Sequence, residues 1–445
     1  MSDHTLPDTL PGWLARLEAA HPVGIDLGLE RVARVAARMG LLATPLAGRV
    51  ITVAGTNGKG STVAMLEALG RAHGLSTAAY TSPHLLRYNE RLRLYGQETD
   101  DARLIAAFNA VEAARLAGDP VSLTYFEAGT LGALWAIAQA RPDLAILEVG
   151  LGGRLDAVNV IDPDVAVITT VALDHADYLG TDLQGIGREK AGILRPARPA
   201  VLGSTTLPES VRGRADELGA EVYALGEAFR REGEGAGWRF WGQTPAEPPQ
   251  DAVPISVTDL PDPGLPLDNA ASALQALSLA GIDLEAAACR RALAGVALPG
   301  RMQWLGQWCL DVGHNPHAAA YLAGRLAQQP CAGRTYALLG MLADKDADGV
   351  IAALSPVVDA WLPASLEGAR ARTADDLAAR LEARGCTVCQ RATAPVAAAR
   401  WLAPRLAPND RVLVCGSFFT VAEVLAWRQS AQASPADDAT SEAAR

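Results

Sequence analysis

The stretch "RVITVAGTNGKGSTVAMLEALG", residues 49–70, has the outline of a phosphate-binding loop with one letter out of place. A β-branched run (Val50, Ile51, Val53) leads into Gly55-Thr56-Asn57-Gly58-Lys59, and a helical pattern follows. In the usual loop, Ser or Thr follows the lysine directly and its hydroxyl holds magnesium. Here Gly60 follows Lys59 and the first hydroxyl arrives a step late, on Ser61. The strand–loop–helix context still predicts phosphate bound to backbone N–H groups at a helix N-terminus. Something else must then hold the metal.

In an open parallel sheet, ligands sit beyond the carboxyl ends of the strands. Three further strand ends deliver suitable groups: Thr81-Ser82-Pro83-His84, Glu148 before "VGLGG", and Leu173-Asp174-His175. Ser82, Glu148 and His175, completed by phosphate oxygens, make a shell for magnesium or manganese. Each has a plainer reading, as turn initiator (Ser82), solvent-facing carboxylate (Glu148) or helix cap (Asp174). Their arrival at one sheet edge favours the metal.

At 445 residues the chain predicts two domains. Its −11 net charge, with both signs interspersed, argues against nucleic acid as a partner. No signal peptide is legible at the start, and the apolar run 128–140 is shorter than the ~20 residues of a membrane helix, so it reads as a buried helix. Six cysteines and a lone CxxC (Cys386, Cys389) fit reduced thiols in the cytoplasm.

Strands are expected at 50–54, 76–80, 144–149, 165–171 and 198–202, with helices at 61–73, 101–117 and 127–140. Residues 226–268 read as an irregular β-hairpin region, followed by helices at 269–280 and 284–294. "GVALPGRMQW" (295–304) reads as a junction, after which the α/β pattern restarts. Strands there are expected near 308–312, 335–340, 357–362 and 411–415, with helices around 317–328, 346–354 and 373–384. The division is 1–297, 298–430 and a disordered tail, 431–445.

Several segments match one family in order along nearly the whole chain. They include "LGLERV" (27–32), "VAGTNGKGS" (53–61), "TSPHLLRYNERLRL" (81–94), "LTYFEAGTLGAL" (123–134) and "LEVGLGGRLDAVNV" (147–160). "ALDHADYLG" (172–180), "IGREKAGI" (186–193), "LPGRMQ" (298–303), "DVGHNPHAA" (311–319), "GMLADKD" (340–346) and "VLVCGSF" (412–418) continue the match. The chain resembles the bifunctional dihydrofolate synthase/folylpolyglutamate synthase family of the Mur ligase superfamily. The resemblance implies a P-loop parallel-sheet ATPase domain followed by a smaller Rossmann-like α/β domain.

The implied activity is an ATP-dependent ligase that forms an acyl phosphate and joins L-glutamate to dihydropteroate or to reduced folates. The implied ATP contacts are Asn57, Gly58, Lys59, Gly60, Ser61, Asn269, Arg301 and Asp311. Ser82, Glu148 and His175 are implied as ligands of Mg2+, and Lys190 as a carbamate that binds a second ion, with K+ also admitted. Lys59, Glu148, His175, Lys190 and His314 are the implied catalytic residues. Thr124, Tyr125, Phe126 and Glu127, with Leu155, Asp156 and Ala157, match segments that hold the pterin-bearing substrate. The chain is expected to be a cytoplasmic monomer acting on small molecules, with no membrane partner.

Two departures are Phe419, where some members carry His, and Gly313, where Ala is common. Alternatives are a folylpolyglutamate synthase alone or a peptidoglycan-type Mur ligase, the latter disfavoured by Gly60. A GTPase-like switch is disfavoured because no Asn-Lys-x-Asp guanine motif occurs.

Overall fold

The structure is a computed structural model that describes residues 6–21, 26–245 and 253–433. It divides into two compact units, Met1–Ala297 and Leu298–Arg445.

The first unit is built on an eight-stranded sheet: β1 (Arg49–Ala54), β2 (Thr77–Tyr80), β3 (Leu92–Leu94), β4 (Gln97–Glu98), β5 (Leu144–Glu148), β6 (Val165–Ile168), β7 (Pro199–Leu202) and β8 (Glu221–Ala224). The order is β4-β3-β2-β5-β1-β6-β7-β8, with parallel pairing throughout except that β3, near one edge, runs antiparallel to both its neighbours β2 and β4. β1 lies between β5 and β6, so its loop opens at the middle of the sheet, flanked by the ends of both neighbours. Its continuous apolar run follows from burial on both faces. Ile51 and Val53 face one core cluster and Val50 the other.

The first cluster packs under helices Lys59–Ala72, Leu267–Leu279 and Ala286–Gly295, the second under Leu10–Ala19, Asp101–Leu116 and Tyr125–Ala140. The apolar run 128–140 is thus a buried helix. Among the described residues no helix is long and apolar enough to cross a membrane.

The strand expected at 165–171 stops at Ile168, because Thr169 and Thr170 turn their hydroxyls onto the carbonyl of Asn57. The expected hairpin region is an antiparallel sheet, β9 (Arg230–Glu232), β10 (Trp238–Gln243) and β11 (Pro254–Leu260), in which Trp238 and Phe240 are buried and Arg239 exposed. Residues 246–252 of that region lie outside the described residues.

The second unit carries β12 (Gln303–Leu305), β13 (Trp308–Leu310), β14 (Thr335–Leu339), β15 (Ala360–Pro363) and β16 (Arg411–Cys415), in the order β12-β13-β16-β14-β15. Only β12 is antiparallel. Helices Pro316–Ala327, Ala347–Leu354 and Ala374–Ala383 fall where expected. Pro395–Leu402 and Phe418–Ala433 were not expected. The latter corrects the tail: residues 431–433 are helical, and 434–445 lie outside the described residues. Cys386 and Cys389 flank an isolated bridge from Val388 to Trp361, and all six cysteines are free thiols.

Candidate active site

The loop after β1 is braced from the end of β6. Thr56 N donates to Thr170 O at 2.7 Å, Asn57 N donates to Thr170 Oγ1 at 3.1 Å, and Thr169 Oγ1 donates to Asn57 O at 2.6 Å. Gly55 passes Thr169 so closely that a Cβ there would come within 1.9 Å of Thr169 Oγ1. Gly58 caps the helix in the left-handed region, at φ +88°. Lys59 Nζ curls back to donate to Gly55 O at 3.0 Å and Thr56 O at 3.3 Å.

The late hydroxyl is occupied. Ser61 Oγ donates to Gly58 O at 3.0 Å and accepts from Asn269 Nδ2 at 2.8 Å. Ser61 and Asn269 are both buried, so the pair ties the helix start to the helix Leu267–Leu279. Gly60 lies in the first turn of the helix.

Glu148 closes β5 and is buried, with its Oε2 accepting from Ser82 N at 3.3 Å. The main chain of Ser82 and the carboxylate of Glu148 therefore meet, though neither residue lines the cleft of Lys59 and Lys190. His175, exposed and at φ +51°, lines the same cleft as Gly55, Lys59, Gly150, Asp174 and Lys190. Among the described residues, no three His, Cys, Asp or Glu side chains form a metal cluster by themselves. The donor set of one carboxylate, one imidazole and one hydroxyl still suits a hard divalent cation that keeps phosphate oxygens in its shell.

Lys190 ends the helix Leu183–Lys190 and is 3% exposed. Burial first, then the charge of Lys59, lowers its pKa to about 7, against the opposing pull of Asp174 and Asp156. Glu189 does not pair with it; its Oε1 accepts from Arg154 Nε at 2.9 Å. The "GLGG" turn approaches the end of this helix closely, since a Cβ on Gly153 would lie 2.8 Å from Glu189 O and 2.9 Å from Lys190 O.

Phe126 packs on that turn, so that a Cβ on Gly150 would lie 2.5 Å from its ring. Thr124 and Glu127 are a capping box: Thr124 N donates to Glu127 Oε2 at 2.8 Å, and Glu127 N to Thr124 Oγ1 at 3.2 Å. Arg31 of "LGLERV" donates to Glu127 Oε1 at 2.9 Å, which ties that stretch to the expected substrate segment Thr124–Glu127. The polar groups of Thr124 and Glu127 thus build the scaffold, leaving Tyr125 and Phe126 as the aromatic faces. Asp156 is buried and accepts from Leu151 N and Val158 N, both at 2.9 Å. Burial raises its pKa to about 6 against those hydrogen bonds. Leu155 is half-buried and Ala157 buried.

In the second unit Asp311 is buried just past β13, accepting from Met302 N at 2.9 Å and Gly313 N at 2.8 Å. Burial raises its pKa, and Arg301 opposes the shift. Arg301 lies 5.1 Å over the ring of Phe418, and the His314 ring is 6.5 Å from it. Phe419 is 61% exposed, so Phe418 is the aromatic residue that groups with these side chains. Sequence reasoning missed Phe418 and the Thr169–Thr170 brace, and it placed Asp174 at the sheet edge without making it a site residue, whereas Asp174 lines the cleft. The hydroxyl pair directly after an apolar strand was the available signal for the brace.

Residues 53–227 match the family model of the Mur ligase middle domain, and residues 300–418 that of the Mur ligase glutamate ligase domain. The chain is 46% identical over 421 residues to the dihydrofolate synthase/folylpolyglutamate synthase of Escherichia coli K12, covering 94% of each chain.

The chain belongs to the dihydrofolate synthase/folylpolyglutamate synthase family of Mur ligases.

Two solved members of that family have the same fold. E. coli FolC in complex with DHPP and ADP superposes with a TM-score of 0.88 at 44% identity, over 95% of this chain and 98% of that one. The bifunctional enzyme with Mn, AMPPNP and L-glutamate bound gives 0.85 at 46% identity, over 95% and 98%. The expected α/β Mur-ligase fold and ATP-dependent ligase class agree with these matches.

Proposed function

We propose that this chain joins L-glutamate to dihydropteroate, giving dihydrofolate, and to reduced folates, giving folylpolyglutamates, with ATP converted to ADP and phosphate. The observation that carries the reading is one cleft in which the phosphate-loop lysine faces a buried second lysine, walled by the "GLGG" turn on which Phe126 packs.

The loop amides from Gly58 to Ser61 receive the phosphates, with the Asn57 amide held by Thr170, and Lys59 swings from its own loop carbonyls to the β/γ-phosphates. A substrate carboxylate oxygen attacks the γ-phosphorus, ADP leaves, and an acyl phosphate remains. The uncharged amine of glutamate then attacks the acyl carbon; phosphate departs with the bonding pair and the amine loses its proton. Asn269 fixes the loop through Ser61. Mg2+, as two ions held by Ser82, Glu148, His175 and the Lys190 carbamate, would neutralise charge on the transferred group. A free lysine ammonium would repel such ions, whereas a carbamate attracts them. Arg301 and Asp311 are read as ATP contacts, and His314 as a catalytic residue. The same reading makes the chain a cytoplasmic monomer.

The test is glutamate-dependent phosphate release with dihydropteroate and tetrahydrofolate offered separately. Release with both supports the reading. Release with tetrahydrofolate alone reduces it to folylpolyglutamate synthesis, and release with neither overturns it.

A further inference from the structure

Arg91 ends the turn Tyr88–Arg91 that runs into β3 and is 9% exposed. Its Nε donates to His84 Nδ1 at 2.9 Å, and its guanidinium carbon lies 5.1 Å from the Tyr88 ring centroid and 5.5 Å from that of Tyr125. Among the described residues no carboxylate pairs with it. Glu90, beside it in sequence, spends both oxygens on the N–H groups of Leu85, Leu86 and Arg87, at 2.6–2.7 Å.

Other half-buried arginines of the unit engage carboxylates or, as Arg38 and Arg290 do, backbone carbonyls. Arg16 and Arg115 share buried Glu112, Arg31 pairs with buried Glu127, and Arg93 with buried Glu67. A guanidinium keeps its proton, so burial cannot be relieved by neutralisation. With Nε committed to His84 and the guanidinium carbon over two tyrosine rings, the Nη1/Nη2 edge remains as the fork for a planar anion.

The position narrows which anion. Arg91 O accepts from Thr81 N at 2.8 Å, next to Ser82, and Tyr125 begins the helix whose first turn is read as substrate-binding. Arg91 does not line the cleft that holds Lys59 and Lys190, where phosphoryl transfer takes place in the proposed reaction. Its guanidinium instead lies over the ring of Tyr125, in the segment read as substrate-binding, so the anion it suits is a carboxylate of that substrate. A folate that already carries a glutamate has a second, non-reacting carboxylate, whereas dihydropteroate has only the reacting one.

Resting on the proposed function, we infer that Arg91 is a specificity-determining residue that binds the non-reacting carboxylate of a glutamate already attached to the folate substrate. It favours chain extension without contributing to the first glutamate addition.

The experiment is calorimetric binding, in the presence of a non-hydrolysable ATP analogue, of dihydropteroate, tetrahydrofolate and the tetrahydrofolate analogue whose α-carboxylate is a carboxamide. The unmodified protein is expected to bind the acid about tenfold or more tighter than the amide, the scale of a charge-assisted hydrogen bond. Arg91→Gln should bind acid and amide alike and keep its dihydropteroate affinity, and Arg91→Lys should retain part of the preference. Equal affinity of the unmodified protein for acid and amide overturns the inference, even if the glutamine variant fails to fold. So does an Arg91→Gln protein that keeps the preference or loses both pterin substrates equally. Absence of tetrahydrofolate binding overturns it as well. The proposed function fails separately, by absence of glutamate-dependent phosphate release with either acceptor.

Discussion

Lys59 and Lys190 line one cleft, where burial first and the Lys59 charge second bring Lys190 down to a pKa of about 7. An amine with that pKa is substantially uncharged at neutral pH, the form that attacks CO2 and releases a proton to become a carbamate. Protein equilibrated with 13C-bicarbonate should show a carbamate carbon resonance that grows as pH rises from 6 to 8, following the uncharged fraction. Lys190→Met should lack it. A spectrum without the resonance at pH 8 would count against the carbamate.

Glu148 is buried with Ser82 N against one oxygen. Glu148→Gln keeps the shape and an acceptor for that N–H but loses the charge that draws a divalent ion. Its kcat should fall by more than about 100-fold, beyond the range for residues behind the ligands, with an unchanged circular dichroism spectrum. Normal turnover at saturating magnesium would remove Glu148 from the metal site.

Gly58 needs its missing side chain twice over. At φ +88° a Cβ is strained by about 1–2 kcal/mol, and it would also lie 2.7 Å from Asn269 Nδ2. Gly58→Ala should lower the free energy of unfolding, measured by denaturant titration, by about 1–2 kcal/mol on that strain. Adding Asn269→Ala should not restore it, because the backbone strain persists and the Ser61 contact is gone.

Asp156 has a folded pKa of about 6, raised by burial from an ordinary 3.8. Between those values the folded state binds more protons than the unfolded, so this group's contribution to stability is full below pH 4 and is lost as pH rises through 6. Asp156→Asn removes the titration. Denaturant unfolding at pH 4 and 7 should show the variant gaining on the unmodified protein at the higher pH, by a few kcal/mol at most. A difference independent of pH would mean that Asp156 is ionised throughout.

The parallel strands and the loop after β1 were legible because strands buried on both faces read as apolar runs and the glycine spacing has a backbone cause. The helix Phe418–Ala433 was not foreseen, although Ser417 Oγ accepts from Thr420 N at 3.0 Å as a cap would. Its "SFFT" start offers no acidic capping box, and "GSF" reads first as a strand end. β3 and β4 were hidden by their length, three and two residues. Ser82, Glu148, His175 and Lys190 could be singled out as a set, but the burial of Lys190 follows from the fit of a helix end against the "GLGG" turn. That is tertiary packing, which no local pattern encodes. Arg91 was invisible for the same reason: only the folded chain shows that the carboxylate beside it is already engaged.

The two-residue edge strand Gln97–Glu98 has a bearing on self-association. Both residues are exposed, and they end the sheet on a polar, acidic stub too short to template another chain. The strands behind it are rich in Ala, Val, Ile and Leu, with little charge inside them to discourage cross-β stacking once unfolded. At this flank, blunting the sheet with a hairpin of three- and two-residue strands does the gatekeeping that the apolar strands cannot do for themselves.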